Sequence, residues 1–404
     1  MTTLEFAQLL TACRPGGAAT LTSVTDLTAA EGTHGGIAPA RFVPARGSGG
    51  TYCYEQRFID GEAVNCVLVD GKASQLNRCE DEIVKAIVDG AEPLSLTPRI
   101  VVRYVNGTSA SDLQLPHRLY DGHIRAGHVD GKSVTEHPTY RAARDATPAD
   151  VRAILELAPA ALVLGGWDST RKSRQGRYRS ALTGEIIGAL ADQSNSDINA
   201  IQTPKRGGAR SDAIAPSVRL TGTQLEQLLV DQEAELSTKT AAKIRDAAKK
   251  AKKDRTSASA LGLGSIPPTL ENLGLVSCRR IIRSHVLSFA ALRQLRFGAG
   301  PDGDAACRAL LAAFALAGLA RANAELNLRA NCNLRESGVP VTELDARYGQ
   351  VVSLDPIDIS TADALLTEAI EHARGSAEIR WEGQIFEVAG NELVVDNSDA
   401  DAEE

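Results

Sequence analysis

Alternating apolar and polar positions predict a hairpin and a helix in the first quarter of the chain. Residues 52–59 and 63–69 are rich in β-branched and aromatic side chains and flank Asp60-Gly61, a pair that favours a two-residue hairpin turn. From residue 74 to Gly90, apolar residues recur every three or four positions, which is the period of an amphipathic helix. A strand, turn and helix unit is therefore expected.

The remaining pattern interleaves strands with helices and long polar segments. We predict strands at residues 99–105, 161–164, 275–282 and 324–334, helices at 5–12, 150–157, 180–190, 223–236, 238–255, 284–296, 305–323 and 361–374, and a hairpin over 377–388. The apolar stretch 305–324 is interrupted by Arg308 and Arg321, so we expect a core helix and no membrane span. This order predicts an α+β fold with helices on one face of an antiparallel sheet, and it favours a split βαβ core of the ferredoxin type.

Composition divides the chain into five segments. They are an N-terminal segment with a glycine-rich loop (1–50), the first part of the sheet core (51–190), a polar and basic helical insert (191–268), the second part of the core (269–390) and an acidic tail predicted to be disordered (391–404). The net charge is −7, but the tail alone holds six acids and no cation. The rest of the chain is near neutral, so local basic patches decide phosphate binding.

The most concentrated basic patch follows Trp167. Residues 171–179 hold five cations with no acid among them: Arg171, Lys172, Arg174, Arg177 and Arg179. Guanidinium groups match phosphate oxygens and stack on flat rings, so this segment predicts contact with a phosphate backbone. A solvated surface loop is the alternative. Trp167 and Tyr178 would stack on or brace the ligand, and a core anchor is an equal alternative for Trp167.

Further cations lie elsewhere in the chain. Arg279 and Arg280 belong to a predicted strand, Lys205 and Arg206 lie on the insert, and the helix at 238–255 carries eight cations against two acids. For that helix, a solvated surface, a phosphate-facing surface and a mobile arm all remain open.

The sequence contains no recognisable catalytic or metal-binding motif. The seven cysteines form no C-x-x-C pair, so we expect reduced, buried thiols in a cytoplasmic protein. Residues 1–17 have no cationic segment before their apolar stretch, which predicts no secretory signal. The Gly131-Lys132-Ser133 sequence lacks the spacing of a phosphate-binding loop, and no G-x-S-x-G elbow is present. We therefore expect no metal and no cofactor.

Three short motifs occur in order over residues 65–190. They are Ser74-Gln75-x-Asn77-Arg78, His117-Arg118-x-x-Asp121, and Gly166-Trp167-Asp168-Ser169 leading to Arg179-x-x-Leu182-x-x-Glu185-Ile186-x-Gly188. Together they resemble the backbone subunit of the type I-G (formerly I-U) CRISPR effector, a member of the RAMP superfamily related to Cas seven-type proteins. Residues 195–260 and the acidic tail have no counterpart in this resemblance.

The resemblance implies a modified RNA-recognition (RRM-like) palm with large inserted finger and thumb segments. Several copies would polymerise along a guide crRNA, bind its sugar-phosphate backbone and present its bases to target DNA in antiviral defence. The implied partners in this Cascade ribonucleoprotein are a fused Cas five/six-type subunit, a large Cas eight-type subunit and a helicase-nuclease recruited for cleavage. Base pairing would read the sequence, so the protein would contact phosphate and sugar.

The resemblance also implies RNA-binding residues beyond the basic patch. Gln75, Asn77 and Arg78 would lie in a helix's first turn, where free backbone N–H groups favour phosphate. Arg78 could instead pair with Glu82 as a surface bridge. The full set is Gln75, Asn77, Arg78, His117, Arg118, Trp167, Arg171, Lys172, Arg174, Arg177, Tyr178, Arg179, Lys205, Arg206, Arg279 and Arg280.

Two enzymatic alternatives remain open. Some RAMP backbones cleave target RNA at regular spacing with a loop aspartate, and Asp26 or Asp168 would be the candidate here. The basic loop could also belong to an α+β enzyme that binds a phosphorylated small molecule. Because the resemblance is to a DNA-targeting type, we predict no catalysis.

Overall fold

The computed structural model of the chain describes residues 2–43, 51–173, 175–198, 201, 205–206, 218–264 and 272–396. The chain divides into two compact units. The first unit comprises Met1–Gln202 and Leu275–Val394, and the second comprises Thr203–Gly274 and Val395–Glu404. The first unit therefore joins two segments that are far apart in sequence.

The regular elements of the described residues are as follows. The helices are α1 (Phe6–Cys13), α2 (Lys72–Val88), α3 (Gly122–Ala126), α4 (Pro138–Asp145), α5 (Arg152–Leu155), α6 (Ala160–Val163), α7 (Gly222–Gln232), α8 (Thr238–Ala251), α9 (Phe289–Leu292), α10 (Gly300–Glu325), α11 (Ile359–Ala377) and α12 (Glu392–Asp396). The strands are β1 (Thr20–Ala29), β2 (Arg41–Phe42), β3 (Thr51–Tyr52), β4 (Tyr54–Ile59), β5 (Glu62–Asp70), β6 (Arg99–Arg103), β7 (Ser109–Ser111), β8 (His128–Val129), β9 (Lys132–Ser133), β10 (Gly166–Trp167), β11 (Arg177–Tyr178), β12 (Leu182–Leu190), β13 (Lys205–Arg206), β14 (Arg219–Thr221), β15 (Arg255–Ser257), β16 (Asn272–Leu273), β17 (Cys278–Ser288), β18 (Leu334–Glu336), β19 (Val341–Asp345), β20 (Val351–Leu354) and β21 (Ile385–Ala389).

The first unit is built around an antiparallel sheet in the order β20-β19-β1-β17-β12-β5-β4, with β18 also pairing along β1. Four of its strands and two helices follow the chain order β1, α2, β12, β17, α10, β19, and the four strands lie side by side as β19-β1-β17-β12. This is the split βαβ arrangement of ferredoxin-like folds. The predicted α+β class is confirmed, and the architecture is compatible with an RRM-like palm.

Burial alternates along the central strand β17. Ile281, Arg283, His285 and Leu287 are buried, and most of the residues between them are only partly buried. His285 contacts Gln75 of α2 on the buried side. A strand turns successive side chains to opposite faces, so one face of the sheet packs on helices and the other is partly open.

The helix α10 forms the centre of this core. It is long and apolar enough to cross a membrane by length and composition, but 89% of its most apolar window is buried inside the fold. Its Arg308 is also buried and donates to the Leu295 carbonyl from Nε and Nη2 at 3.0 and 2.8 Å. Because this cation is satisfied internally, the helix predicted at 305–323 serves as a core element.

The hairpin predicted at residues 52–69 is confirmed as β4 and β5. Asp60 and Gly61 form its turn with φ values of 51° and 87°. Positive φ at both central residues belongs to the turn type that matches the twist of two antiparallel strands. The register set by this turn lets β5 lead directly into α2.

Two predicted elements near the basic patch are wrong. Residues 161–163 belong to α6 and Leu164 is its C-cap, so this segment is not a strand, because an apolar run of four residues fits a buried helix equally well. Residues 182–190 form β12 and not a helix. Leu182, Ile186 and Ala189 recur at a helical spacing. β12 is nevertheless hydrogen-bonded to β17 on one side and β5 on the other, and tertiary pairing overrides local preference.

Other corrections concern the last third of the chain. The strand β17 continues to Ser288, so the helix predicted at 284–296 is reduced to α9. The segment predicted as a strand at 324–334 consists of the end of α10 and a loop that leads into β18. The segment predicted as a hairpin at 377–388 consists of the end of α11, a loop and β21. β21 pairs in parallel with β6, a partner that is remote in sequence. The tail predicted to be disordered begins with the helix α12.

The second unit contains a helical pair. Ala241, Ile244 and Ala248 of α8 pack against Leu225 and Leu229 of α7 in a small apolar cluster. The predicted basic helix is thus α8 followed by β15. Its cations surround this narrow buried stripe as exposed side chains, and Arg245 pairs with Glu233.

Candidate nucleic-acid interface

The basic patch is a two-stranded ribbon that projects from the end of α6. β10 and β11 pair antiparallel, with Trp167 opposite Arg177. Gly165 precedes the ribbon with a φ of 101°, a conformation that residues with a Cβ rarely adopt. After β11 the chain enters β12, so the ribbon stands at the start of a central strand.

Buried polar contacts fix the base of the ribbon. The fully buried Asp168 carboxylate accepts from Arg144 Nε at 2.7 Å and pairs with that guanidinium. The Tyr178 hydroxyl donates to the Ala146 carbonyl at 2.9 Å, and the Tyr178 ring is buried. Both contacts attach the ribbon to the end of α4. Tyr178 therefore anchors the ribbon to the fold, and its buried ring is not placed to stack on a ligand.

The outer surface of the ribbon carries an aromatic ring and cations. Trp167 is 51% exposed, so its alternative as a core anchor is wrong. The Arg177 guanidinium lies over its ring, 5.2 Å from the centroid, within the range of a cation–π contact. Lys172 and Arg179 are exposed beside this pair in sequence. We call Trp167, Lys172, Arg177 and Arg179 the ribbon patch.

Arg171 differs from the other cations of this segment. It forms an ion pair with Asp145 and donates from Nη1 to the Arg144 carbonyl at 3.2 Å. Its first role is to hold the loop between β10 and β11 against α4. Arg174 lies outside the described residues.

A groove of about 170 Å³ adjoins the ribbon patch. Arg177 and Arg179 line it together with the buried side chains of Leu162 and Leu295. Cations above an apolar floor suit a phosphate and its attached sugar or base. The ribbon patch therefore continues into a concave surface.

The Ser74-Gln75-x-Asn77-Arg78 motif forms a network around Asp70, the last residue of β5. Its buried carboxylate accepts from Ser74 at 3.0 Å, from Gln75 at 2.5 Å and from Arg78 at 3.1 and 3.2 Å, and it also pairs with Arg329. Arg78 thus pairs with Asp70, so the predicted surface bridge to Glu82 is wrong.

The prediction of free N–H groups at this motif is also wrong. The helix begins at Lys72, and the Gln75 N–H already donates to the Gly71 carbonyl at 3.0 Å. The Gln75 side chain is buried between Asp70 and His285, whereas Asn77 is exposed. A nearby cavity is lined by the two cations Arg78 and Lys85 and by the three acids Asp81, Glu82 and Glu325, so its net negative charge opposes phosphate binding.

Electrostatics explain why this network is stable. Burial alone would raise the pKa of the Asp70 carboxyl, but hydrogen bonds from Arg78 and Gln75 and the charges of Arg78 and Arg329 lower it overall. Burial, with the charge of Arg283, lowers the pKa of His285 to about 3. The network therefore holds a charged carboxylate beside a neutral imidazole.

The His117-Arg118 pair splits into one structural and one exposed residue. Arg118 forms a largely buried ion pair with Glu80 of α2 and donates from Nη1 to the Gly165 carbonyl at 2.9 Å. It therefore connects α2 to the base of the ribbon. His117 is exposed, and its role as an RNA contact stays a prediction.

Arg279 and Arg280 lie at the opposite end of β17 from the ribbon. Together with Gly32 and Gly35 they line a cavity of about 110 Å³. Arg280 forms ion pairs with Asp26 and Asp60, and Arg279 is exposed. The Gly32 and Gly35 N–H groups already donate to the Ala29 and Gly32 carbonyls, so a phosphate here would depend on the donors of Arg279.

The open sheet face connects these two ends. β12 and β17 pair from Leu182 to Leu190, which at ~3.3 Å per residue separates the ends by about 25 Å. The three central strands β1, β12 and β17 contain no phenylalanine, tyrosine or tryptophan. RNA-recognition sheets usually stack bases on strand aromatics, so this face can offer only polar and aliphatic contacts.

The last two predicted RNA-binding cations, Lys205 and Arg206, are described only by their backbone. Lys205 and Arg206 form β13, which pairs with β16, but their side chains lie outside the described residues. Among the described residues, no group of three or more His, Cys, Asp or Glu side chains is placed to hold a metal ion. Sequence reasoning missed Arg144 and Asp145, which anchor the ribbon, because neither belongs to a motif.

Comparison with known proteins supplies an assignment for this part of the chain. Residues 21–193 match the model of a family described as CRISPR-associated protein GSU0053 (Cas_GSU0053). The match spans β1 from Leu21 onward, Asp70 with the Ser74–Arg78 motif, the ribbon patch and β12, whereas Arg329 and His285 lie outside it. No curated protein matches the chain. Residues 21–193, which include the ribbon patch, are therefore similar to this CRISPR-associated protein family.

Proposed function

We propose that the chain is a non-catalytic backbone subunit of a type I CRISPR effector, the Cascade complex, in the cytoplasm. In this proposal several copies line a guide crRNA, bind its sugar-phosphate backbone and leave its bases free to pair with target DNA. The fused Cas five/six-type subunit, the large Cas eight-type subunit and the recruited helicase-nuclease are the further partners. The family match supports a role in CRISPR defence.

The exposed Trp167 ring under the Arg177 guanidinium is the observation that carries the proposal. The exposed face of a tryptophan ring can stack on a ribose or a base, and a stacked arginine keeps N–H donors for phosphate. The pair therefore offers a flat surface for a ribose or base and a charge for the adjacent phosphate. Lys172 and Arg179 extend that charge along the ribbon.

The sheet supports backbone recognition over base recognition. Because the central strands carry no phenylalanine, tyrosine or tryptophan and the ring of His285 is buried, bases have no stacking platform there. Its open face instead holds acids that are already paired, with Glu185 bound to Arg57 and Asp26 bound to Arg280. A guide whose bases must face its target is best held through phosphate and sugar.

The absence of catalysis is part of the proposal. Asp168 is buried in its pair with Arg144, and Asp26 is paired with Arg280. A carboxylate held by a guanidinium is a poor general base because its pairing stabilises the charged form and occupies its oxygens. Neither aspartate nominated for the RNase alternative is free in this structure.

Fluorescence anisotropy with labelled RNAs of equal length and unrelated sequence tests the proposed mode of recognition. We expect affinities that agree within about threefold across sequences, because phosphate contacts carry no sequence information. Arg177→Ala should weaken all of them equally. Arg103→Gln, which removes an exposed cation from β6 of the separate five-stranded sheet β7-β6-β21-β8-β9, should weaken none. Binding that depends on base sequence would contradict backbone recognition.

A further inference from the structure

A second site lies on the buried side of the sheet, away from the ribbon patch. A cavity of about 70 Å³ is enclosed by β1, β17, β19, α10 and the segment after β20. Arg283 of β17 lines it and is only 2% exposed. A guanidinium this deep requires partners for its N–H groups, because a buried donor without one costs free energy.

Arg283 is only partly satisfied by the protein. Its Nη2 donates to Thr25 Oγ1 at 3.3 Å and pairs with Glu336. Its Nε and Nη1 have no hydrogen-bond partner among the described residues. The Thr342 hydroxyl, which lines the same cavity, is also buried without a partner. The Arg283 Nε and Nη1 groups and the Thr342 hydroxyl therefore all lack hydrogen-bond partners at the same cavity.

The strand register explains why these groups converge. Thr25 of β1 pairs with Arg283 of β17, and Ser23 of β1 pairs with Thr342 of β19. Residues two apart on one strand share a face, so Arg283, Ser23 and Thr342 project from neighbouring positions of the same surface. Asn323 of α10 adds an amide from the facing helix.

The rest of the lining is apolar. Leu316 and Leu319 of α10 and Ile357 contribute aliphatic walls, and Pro356 reaches the protein surface. Hydrogen-bond donors line one end of the cavity and aliphatic side chains line the other. This lining is complementary to a small amphiphilic molecule with acceptor oxygens at one end. A water molecule needs about 10–15 Å³ of such a cavity, so the cavity has room for about five water-sized groups. That is the number of non-hydrogen atoms in a very small organic molecule.

We infer that this cavity is a binding site for a compact carboxylate of about the size of propionate. A carboxylate accepts charge-assisted hydrogen bonds, which are about twice as strong as neutral ones. Glu336 compensates the cation from one side only and is itself partly exposed. Burial lowers the pKa of Arg283 despite that pair, so an additional acceptor would stabilise its charge. This site is independent of the proposed RNA interface.

Thermal unfolding of the full chain in sodium propionate tests the inference. The unfolding midpoint should rise saturably, because a ligand that binds only the folded state stabilises it. Sodium chloride at equal ionic strength and 1-propanol, which has a similar body without the charge, should not reproduce this saturable rise. Titration of ¹³C-propionate followed by NMR gives the dissociation constant.

Matched variants distinguish this site from general stabilisation. Arg283→Met should weaken propionate at least tenfold, and Thr342→Val, which is isosteric, should weaken it several-fold. Thr97→Val removes another buried hydroxyl without a partner, outside the cavity lining, and should leave affinity unchanged. Equal propionate affinity in Thr342→Val and the parent chain, or a high-resolution structure grown in propionate with only water in the cavity, would overturn the inference. RNA affinity is a separate readout.

Discussion

The guanidinium carbon of Arg177 lies 5.2 Å from the centroid of the Trp167 ring. The contact follows from the backbone, because the two residues face each other across the pair of β10 and β11. It holds an exposed aromatic surface and a cation in one orientation before any ligand arrives. Such pre-organisation reduces the entropy that binding must overcome.

Trp167→Ala should weaken RNA binding without unfolding the protein. Loss of a stacking surface costs about 1–3 kcal/mol per base, which is about fivefold to 150-fold in the dissociation constant measured by anisotropy. The unfolding free energy should change by less than about 0.5 kcal/mol, because the ring is half-exposed.

Tyr178→Phe is the matched control for that change. It removes the hydrogen bond to the Ala146 carbonyl and should lower the unfolding free energy by about 1 kcal/mol. RNA affinity of the folded protein should be retained, since the ring is buried. If Trp167→Ala left the RNA affinity unchanged, the prediction that the ribbon contacts RNA through Trp167 would be contradicted.

Neutralising the ribbon cations should change the salt dependence of binding. Each phosphate contact to single-stranded nucleic acid contributes about 0.7 to the slope of log affinity against log salt. Lys172→Gln, Arg177→Gln and Arg179→Gln together should therefore reduce the slope by about 2. The exposed Arg103→Gln control should leave it unchanged. A slope that stays the same in the triple variant contradicts phosphate contact at these residues.

Asp168→Asn and Asp26→Asn separate structure from catalysis. Breaking the buried pair of Asp168 with Arg144 should lower the unfolding free energy by about 3 kcal/mol, whereas the more exposed pair of Asp26 with Arg280 should contribute less than about 1 kcal/mol. In the assembled complex, complementary RNA with Mg²⁺ should stay intact. Regularly spaced cuts that either variant abolishes would establish the RNase alternative.

Asp70→Asn should destabilise the fold in a pH-dependent manner. The pKa of Asp70 is lowered in the folded chain, so its contribution is complete above the unfolded value of about 3.9 and is lost as pH falls through the folded pKa. At pH 7 the variant should lose about 3–5 kcal/mol, because Arg78 and Arg329 are left unpaired.

Urea denaturation of both chains at several pH values measures this difference. It should shrink as the pH falls below the unfolded value of about 3.9, because the unfolded chain then takes up a proton at Asp70 before the folded chain does. A difference that is the same at pH 2.5 and pH 7 would show that shape and not charge stabilises the network.

Local signals in the sequence were sufficient for part of the fold. Asp60-Gly61 predicted the first hairpin because its turn depends on those two residues alone. The strand β12 was misassigned because its conformation depends on β5 and β17, which lie far away in sequence. The same holds for β21, whose partner β6 is remote.

The candidate site was likewise predictable only where the signal is local in the sequence. The cations of the ribbon patch were evident from composition, but their separation into contacts and anchors was not. Arg171 and Tyr178 are fixed by Asp145 and Ala146, which carry no motif. Gln75 and Arg78 belong to a network centred on Asp70 that also needs Arg329, and no local pattern indicates that residue.

Co-expression of the chain with a guide crRNA, followed by native mass spectrometry, tests the central claim most directly. The account predicts an assembly of several copies on one guide, and an RNA content that falls when Trp167 and Arg177 are both changed to Ala. A chain that stays monomeric and free of RNA in the presence of the guide would contradict it.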